Sequence, residues 1–251
     1  MSYQDTGLIF AGKVYIAPVE QGVIGAFNGP INVPSFELTP PSTEARNRIS
    51  KQPATYGQAL DVVNIPGDPA QMAITFDSLP AELLAEALGG TSAAHSVTAG
   101  TVTAETVTLI EGQWVKLAHA NIDDQSVQVT ETTGSSNLAV GTDVEVDTDA
   151  GLIKALNSGA ATEVEVDYGY NGETGTQVLG ATEIQKPRHI ILEGKNLATG
   201  KKARVIVHEA VLNASEATDL MSDEFINGQL SGALRTPAGK ASPFEVIMLE
   251  S

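Results

Sequence analysis

Residues Arg188 to Leu212 constrain this chain more than any other stretch. They read RHIILEGK, then NLATG, then KKARVIVHEAVL: two apolar arms about a segment, Asn196–Gly200, whose residues favour a turn. Apolar side chains occupy both faces of the arms. Ile190 and Leu192 share one face and Ile191 lies on the other, while Val205 and Val207 alternate with Ile206. A sheet with one wet face shows strict alternation, so this hairpin is expected to want cover on both. A two-stranded hairpin is marginal in water. It must therefore join a larger sheet, in its own chain or a neighbouring one.

The 251 residues suffice for one large or two small domains, and the 42% hydrophobic content predicts a real core. Only 18% of residues are charged, and the formal net charge is −17. That balance argues against a nucleic-acid binder, which needs a basic stripe, and against docking on anionic membranes. The absence of cysteine excludes disulfides, thiolate metal sites and cysteine nucleophiles. The start, MSYQDTGLIFAGKVYIAPV, has no signal-peptide pattern, and no apolar run approaches a membrane span. The expectation is a soluble acidic protein made in a cytoplasm.

Met1 to Thr6 reads as a loose arm. Lys13–Val19 and Ile31–Thr39 read as strands, with Pro34 marking an edge or a bulge in the second. Pro40 to Pro69 has five prolines, three basic residues (Arg46, Arg48, Lys51) and little periodicity. It is either a surface loop or an arm that orders against another subunit. Ala70–Asp77 alternates Met72, Ile74 and Phe76 on one face of a strand. A short helix follows, with Ser78 expected as its N-cap, a Leu83–Leu84–Leu88 stripe and a stop at Gly89–Gly90.

Composition shifts at Thr91. From there to Val178 thirteen acids face two bases, a net of −11. Short strands are expected at Thr106–Ile110, Gln113–Leu117, Ser126–Thr130, Asp143–Asp147, Leu152–Ala155 and Thr162–Tyr168, a pattern that predicts a small β-sandwich or barrel. Beyond the hairpin, Asn213–Asp223 reads as a loop with a short helix as the alternative, and Glu224–Leu234 and Pro243–Leu249 read as the last strands.

Chemistry is sparse. His189 is expected opposite His208, but no third ligand has metal-site spacing, so a polar cross-strand pair is the reading. Asp143, Glu145, Asp147 and Asp149, and likewise Glu163, Glu165 and Asp167, fall at steps of two and read as solvated acidic strand faces; the EF-hand pattern fails. Trp114 is expected in the core. No nucleophile elbow, Walker loop or dinucleotide fingerprint is present. No enzyme, metal or cofactor is expected.

Taken in order, the strand KVYIAPV, the Pro-rich loop, AQMAITFD leading into PAELLAEALGG, the hairpin ILEGKNLATGKKARVIVHEA and the closing DEFINGQLSGALRTPAGKASPFEVIML resemble the major tail tube proteins of long-tailed bacteriophages. The likeness covers residues 8–90 and 180–250, about 60% of the chain. The stretch NLAVGTDVEVDTDAGLIKAL looks like an accessory β-domain of some such proteins. The resemblance implies a mainly β tail-tube fold of two packed sheets with a flanking short helix, split as 1–90 and 179–251 around an inserted small β-sandwich, 91–178.

It further implies a structural subunit that assembles as homohexameric rings stacked into a tube, whose lumen conducts genomic DNA without binding it specifically. Implied partners are further copies of the chain and the tape-measure, tail-tip and tail-terminator proteins, in the virion tail, with assembly in the bacterial host cytoplasm. So large an insert points to a non-contractile tail. Segment 40–69 matches the stacking loop between rings, which assigns Arg46, Arg48, Lys51 and Tyr56 to subunit contacts. Glu37, Asp77, Glu193 and Glu209 are the lumen-facing candidates, since an acidic wall repels phosphates. The alternative is a surface- or carbohydrate-binding, adhesin-like β-sandwich protein, although Trp114, Tyr168 and Tyr170 are few for a sugar platform.

Overall fold

A computed structural model of the chain describes residues 7–134, 136–183 and 185–249. The loose arm expected over residues 1–6 lies outside them. The first strands are β1 (Phe10–Glu20), β2 (Val23–Ile24), β3 (Asn28–Ile31), β4 (Ser35–Thr39), β5 (Thr43–Ile49), β6 (Ala59–Pro66) and β7 (Gln71–Phe76), followed by helix α1 (Ala81–Ala87). Next come β8 (Thr91–Val97), β9 (Gly100–Thr108), β10 (Val115–Lys116), β11 (Gln128–Glu131), β12 (Asn137–Leu138), β13 (Val144–Asp147), β14 (Leu152–Ala155), β15 (Glu163–Tyr170) and β16 (Glu173–Leu179). The chain closes with β17 (Lys186–Asn196), β18 (Lys202–Ala214), β19 (Gly228–Leu234) and β20 (Phe244–Met248). These divide into two compact units, Met1–Ala93 with Val178–Ser251, and Ala94–Gln177.

The hairpin β17–β18 is the centre of the first unit. Asn196 closes it: its N–H donates to the Lys201 carbonyl at 2.9 Å, and its side chain accepts from the backbone N–H groups of Ile9 and Ala198. The sheet it joins has nine strands, ordered β2-β1-β17-β18-β19-β7-β4, with β20 also on β18 and β3 also on β1. The hydrogen bonding thus gives one continuous sheet where two packed sheets were expected. Its two ends nevertheless meet. β3 pairs with β1 and β4 pairs with β7, yet from Ile31 to Ser35 is only four residue steps, a reach of at most about 14 Å. The sheet must therefore curl around its own core.

That curl explains the burial. Val14, Ile16, Met72, Ile74, Phe76 and Ile190 face inward in one cluster, joined by Leu212 and Leu230. Cover for the second face of the hairpin is only partial: Ile191 and Ile206 are half-buried on the outward side. The expected strand over Ile31–Thr39 is split, because Val33–Pro34 carries the chain across the seam between β3 and β4.

Helix α1 buries Leu83 of the expected Leu83–Leu84–Leu88 stripe, while Leu84 and Leu88 are half-buried and Ala85 and Ala87 are buried in their place. Its N-cap is Pro80, with no side-chain cap bond, instead of Ser78. The stop is as read: the Gly89 N–H reaches the Glu86 carbonyl and the Gly90 N–H the Ala85 carbonyl, a Schellman closure with Gly89 at φ +58°.

Segment 40–69 is neither a loop nor structureless. β5 and β6 form their own two-stranded sheet. Its prolines flank or end the strands, or sit in the turn (Pro53), so none interrupts the ladder. Ser42 staples its base, exchanging backbone bonds with Gly67 and Asp68 and accepting the Asp68 N–H on its hydroxyl at 2.7 Å.

The second unit holds two small sheets, β12-β11-β15-β9 and β10-β14-β13. Val129, Val144, Ile153, Val164, Val166 and Tyr168 belong to one core shared between them. The chain enters this unit along β8 and leaves along β16, and those two strands pair with each other.

Candidate assembly surfaces

In the arm formed by β5 and β6, alternation and register sort the side chains onto two faces. Glu44 lies opposite Ile65, Arg46 opposite Val63 and Arg48 opposite Asp61. The other face pairs Ala45 with Asn64 and Asn47 with Val62, and ends at Ile49. Every strand residue except the half-buried Ile65 is exposed, so both faces are open. The two arginines are engaged within the arm. Arg46 Nη2 lies 3.1 Å from Glu44 Oε2, and Arg48 Nε lies 2.6 Å from Asp61 Oδ2. Lys51 and Tyr56 occupy the tip, with Lys51 Nζ 5.5 Å from the Tyr56 ring centre. The tip is built on buried Ser50, whose hydroxyl meets that of Thr55 at 2.7 Å and accepts the Gln52 N–H.

The outward face of the large sheet is polar over β4, β7 and β19, whereas Tyr15, Ile191 and Ile206 form an apolar row on it across β1, β17 and β18. On β4, β7 and β19 it aligns Ser35–Thr75–Gln229, Glu37–Ala73–Ser231 and Thr39–Gln71–Ala233. Only one of these nine positions is charged. Glu37 is exposed there and accepts from the Ser35 hydroxyl at 3.0 Å. The same face continues over β1, β17 and β18, where exposed Glu193 lies in register between Lys13 and Arg204. Asp77, exposed just past β7, is tied to the Asn32 amide at 2.8 and 2.7 Å. Glu209 is not an open carboxylate: it is 4% exposed and ion-paired with Arg235 at 3.2 Å. These four residues do not form one acidic wall. The negative charge is concentrated in the second unit, whose thirteen acids and two bases make up −11 of the −17.

His189 and His208 do meet, with ring centres 6.3 Å apart, although not as a simple pair. Arg188 pairs with Ala210 while Ile190 pairs with Val207, so His208 and Glu209 together oppose His189 in a β-bulge. His189 Nδ1 donates to the His208 carbonyl at 3.0 Å, and His208 Nε2 lies 2.9 Å from Glu245. A cavity of about 420 Å³ opens beside them, lined also by Ile24, Ile191, Ile206 and Pro237. Among the described residues no three histidine or carboxylate side chains are placed to hold a metal ion.

In the second unit the acidic alternation holds turns and strand pairs. Glu145 pairs with Lys154 at 2.7 Å, and Asp143, Asp147 and Asp167 accept the backbone N–H groups of Ala139, Ala150 and Ala104. Trp114 is 42% exposed rather than core, with Lys154 Nζ 4.2 Å from its ring centre. One titratable group stands out. The buried Tyr168 hydroxyl donates to Glu105 at 2.6 Å, and burial first and this bond second push its pKa up to about 12.

A surface that sequence reading missed lies between β18 and β19. Leu220, Met221 and Phe225 project from this segment, Met221 at 91% and Phe225 at 93% exposure. Asp219 and Ser222 shape it by accepting the Met221 and Glu224 N–H groups. The available signal was three large apolar residues within six positions of an otherwise acidic loop.

Comparison with known proteins adds one assignment. The family described as Protein of unknown function UCP028589 matches residues 8–243, nearly the whole chain. The chain belongs to that family. The match runs through both compact units, so the family covers the insert as well as the curled sheet. No curated protein matches the chain.

Proposed function

We propose that this protein is the structural subunit of a tube of the kind found in long-tailed phage tails. Six copies form a ring, rings stack into a tube, and the outward face of the nine-stranded sheet, with the polar rows of β4, β7 and β19, lines a channel through which DNA passes without specific contacts. The observation that carries this reading is the arm. A two-stranded ribbon open on both faces is barely stable alone, and Ile49, Leu60, Val62 and Val63 are exposed on it. A chain gains from such a ribbon when another chain covers it.

The sheet supports the same reading. β4 is an edge strand at one end of the order and β2 at the other, and edge strands invite pairing unless something covers them. Joining edges around a ring removes them, while contacts between unlike surfaces of stacked rings generate an open filament. Such a subunit is not an enzyme. Its place is the virion tail after assembly in the host cytoplasm, and its partners are copies of itself, the tape-measure protein and the proteins at the tail tip and tail end.

The test is negative-stain microscopy over a protein concentration series, alone and with added tail tips, beside a variant in which residues 40–69 are replaced by a glycine linker. Six-fold rings or hollow tubes are expected from the intact chain, and isolated rings or monomers from the variant. An intact chain that stays monomeric throughout, tail tips included, overturns the reading.

A further inference from the structure

We propose that the uncharged face of the arm, Ala45, Asn47, Ile49 and Val62, docks onto the Leu220–Met221–Phe225 surface of a second copy of this chain. The inference rests on the tube reading above and names the contact that stacking would use.

The choice of face follows from the cost of burial. Glu44, Arg46, Arg48 and Asp61 make exposed ion pairs on the other face. Exposed pairs of this kind contribute little, but taking their ions out of water is costly unless the contact satisfies every one of them. The uncharged face carries no ion, and Ile49 and Val62 on it, still 51% and 61% exposed, gain from burial. Arg46 and Arg48 therefore stay at the solvent side of the contact.

The choice of partner surface follows from apolar exposure and charge. Met221 and Phe225 are the most exposed large apolar residues described, and with Leu220 they put three such side chains within six positions of one loop. Their loop, residues 215–227, carries four acids and no base. The arm, residues 43–66, has three bases and two acids, against −17 for the whole chain. With its acids matched by its arginines, Lys51 at the tip is the surplus cation. Its charge complements the loop's acids, while elsewhere copies of so acidic a chain repel one another. Because the two surfaces differ, the contact is heterologous, and between stacked rings, where no rotation closes it, such a contact propagates as a filament.

The cysteine-free chain permits a clean test. Full-length V62C and F225C variants, differing in mass by a tag, are mixed under assembling conditions and treated with a short bismaleimide. E44C, on the charged face of the arm, replaces V62C in the control. The V62C–F225C product is expected to exceed the E44C–F225C product about tenfold or more, since a docked contact raises the local thiol concentration to the millimolar range. Assemblies in which V62C gives no more product with F225C than E44C does overturn this contact and leave the tube reading standing. A larger E44C–F225C product overturns the choice of face. Chains that neither assemble nor cross-link overturn the tube reading and this contact together.

Discussion

Tyr168 shows how much one side chain can hold in place. It is buried in the core of the second unit, its hydroxyl donates to Glu105, and the His119 N–H reaches the same oxygen at 3.3 Å. The other Glu105 oxygen accepts the Ala118 N–H at 2.8 Å, so one carboxylate and one phenol fasten β9 and β15 to the segment after β10. Tyr168→Phe leaves that carboxylate and N–H short of a partner, and we expect a loss of about 1–3 kcal/mol from this unit by urea unfolding. Its pKa is raised from 10.0 to about 12. Between those values the unfolded chain gives up a proton that the folded chain keeps, so the stabilisation is full below pH 10 and falls as pH rises toward 12. Ultraviolet titration should show a late phenol that is absent in Tyr168→Phe. A late phenol that persists in the variant would refute the assignment. In the first unit, Glu86 serves two cations: the Arg188 guanidinium bonds it directly and Lys186 Nζ lies 4.0 Å away, all three largely buried. Lys186 also reaches the Gly90 carbonyl just past α1. Lys186 keeps a second carboxylate, Glu183, at 3.0 Å, so Glu86→Ala strands the Arg188 guanidinium beneath the helix and should cost about 3–5 kcal/mol. The double variant Glu86→Gln, Arg188→Met should recover most of it, and equal losses in both would show that charge pairing is not the cause.

At the scale of elements, the strands that bury one face were legible and the others were not. Met72, Ile74 and Phe76 in β7, and Val164 and Val166 between Glu163, Glu165 and Asp167 in β15, write the period of two directly into the sequence. The hairpin β17–β18 and the glycine stop of α1 were equally plain. The strands β5 and β6 expose both faces, so no apolar rhythm marks them. The ribbon strands β8 (TSAAHSV) and β16 (ETGTQVL) line neither core, and they too went unread. The bulge at His208–Glu209 was illegible for another reason: one extra residue changes which side chains reach solvent without changing the composition, and it left Glu209 buried where an open carboxylate was expected. Among the candidate contact residues, Lys51 and Tyr56 stand free at the tip, but the partners of Arg46 and Arg48 lie within the arm and could only be found in three dimensions. Close strand approach was hidden as well. Gly232 on β19 sits where a Cβ would run into the Val211 carbonyl of β18. Gly232→Val should therefore loosen this strand pair and cost about 2–3 kcal/mol. Hydrogen exchange of the Leu230 and Leu234 amides, read beside the urea midpoint, should speed up. Unchanged protection would mean that the pair has slack to absorb the side chain.

For the whole molecule, the two cores share no residue, which makes the second unit separable in principle. The chain leaves and rejoins the first unit at one place: β8 pairs with β16, and Gly90 lies against the backbone of Leu179 and Gly180. Replacing Ala94–Gln177 by an Asn-Gly turn would close that ribbon as a short hairpin, a junction for which this dipeptide is suited. The curled sheet, α1 and the arm would be left with their own core. Calorimetry should then lose one transition and keep the other near its original temperature. The charge changes more than the fold does. The excised unit carries −11, so the shortened chain falls from −17 to −6. Self-repulsion between acidic copies opposes association and is screened by salt, with a Debye length of about 8 Å at physiological ionic strength. Under the tube reading, the shortened chain should therefore assemble at lower concentration than the intact one, with a weaker salt dependence, as followed by light scattering from low to high ionic strength. The intact chain should approach it as salt rises. An intact chain that assembles more readily than the shortened one at every salt concentration would mean that the second unit contributes contacts of its own, and the exposed Trp114 surface would be the first place to look for them.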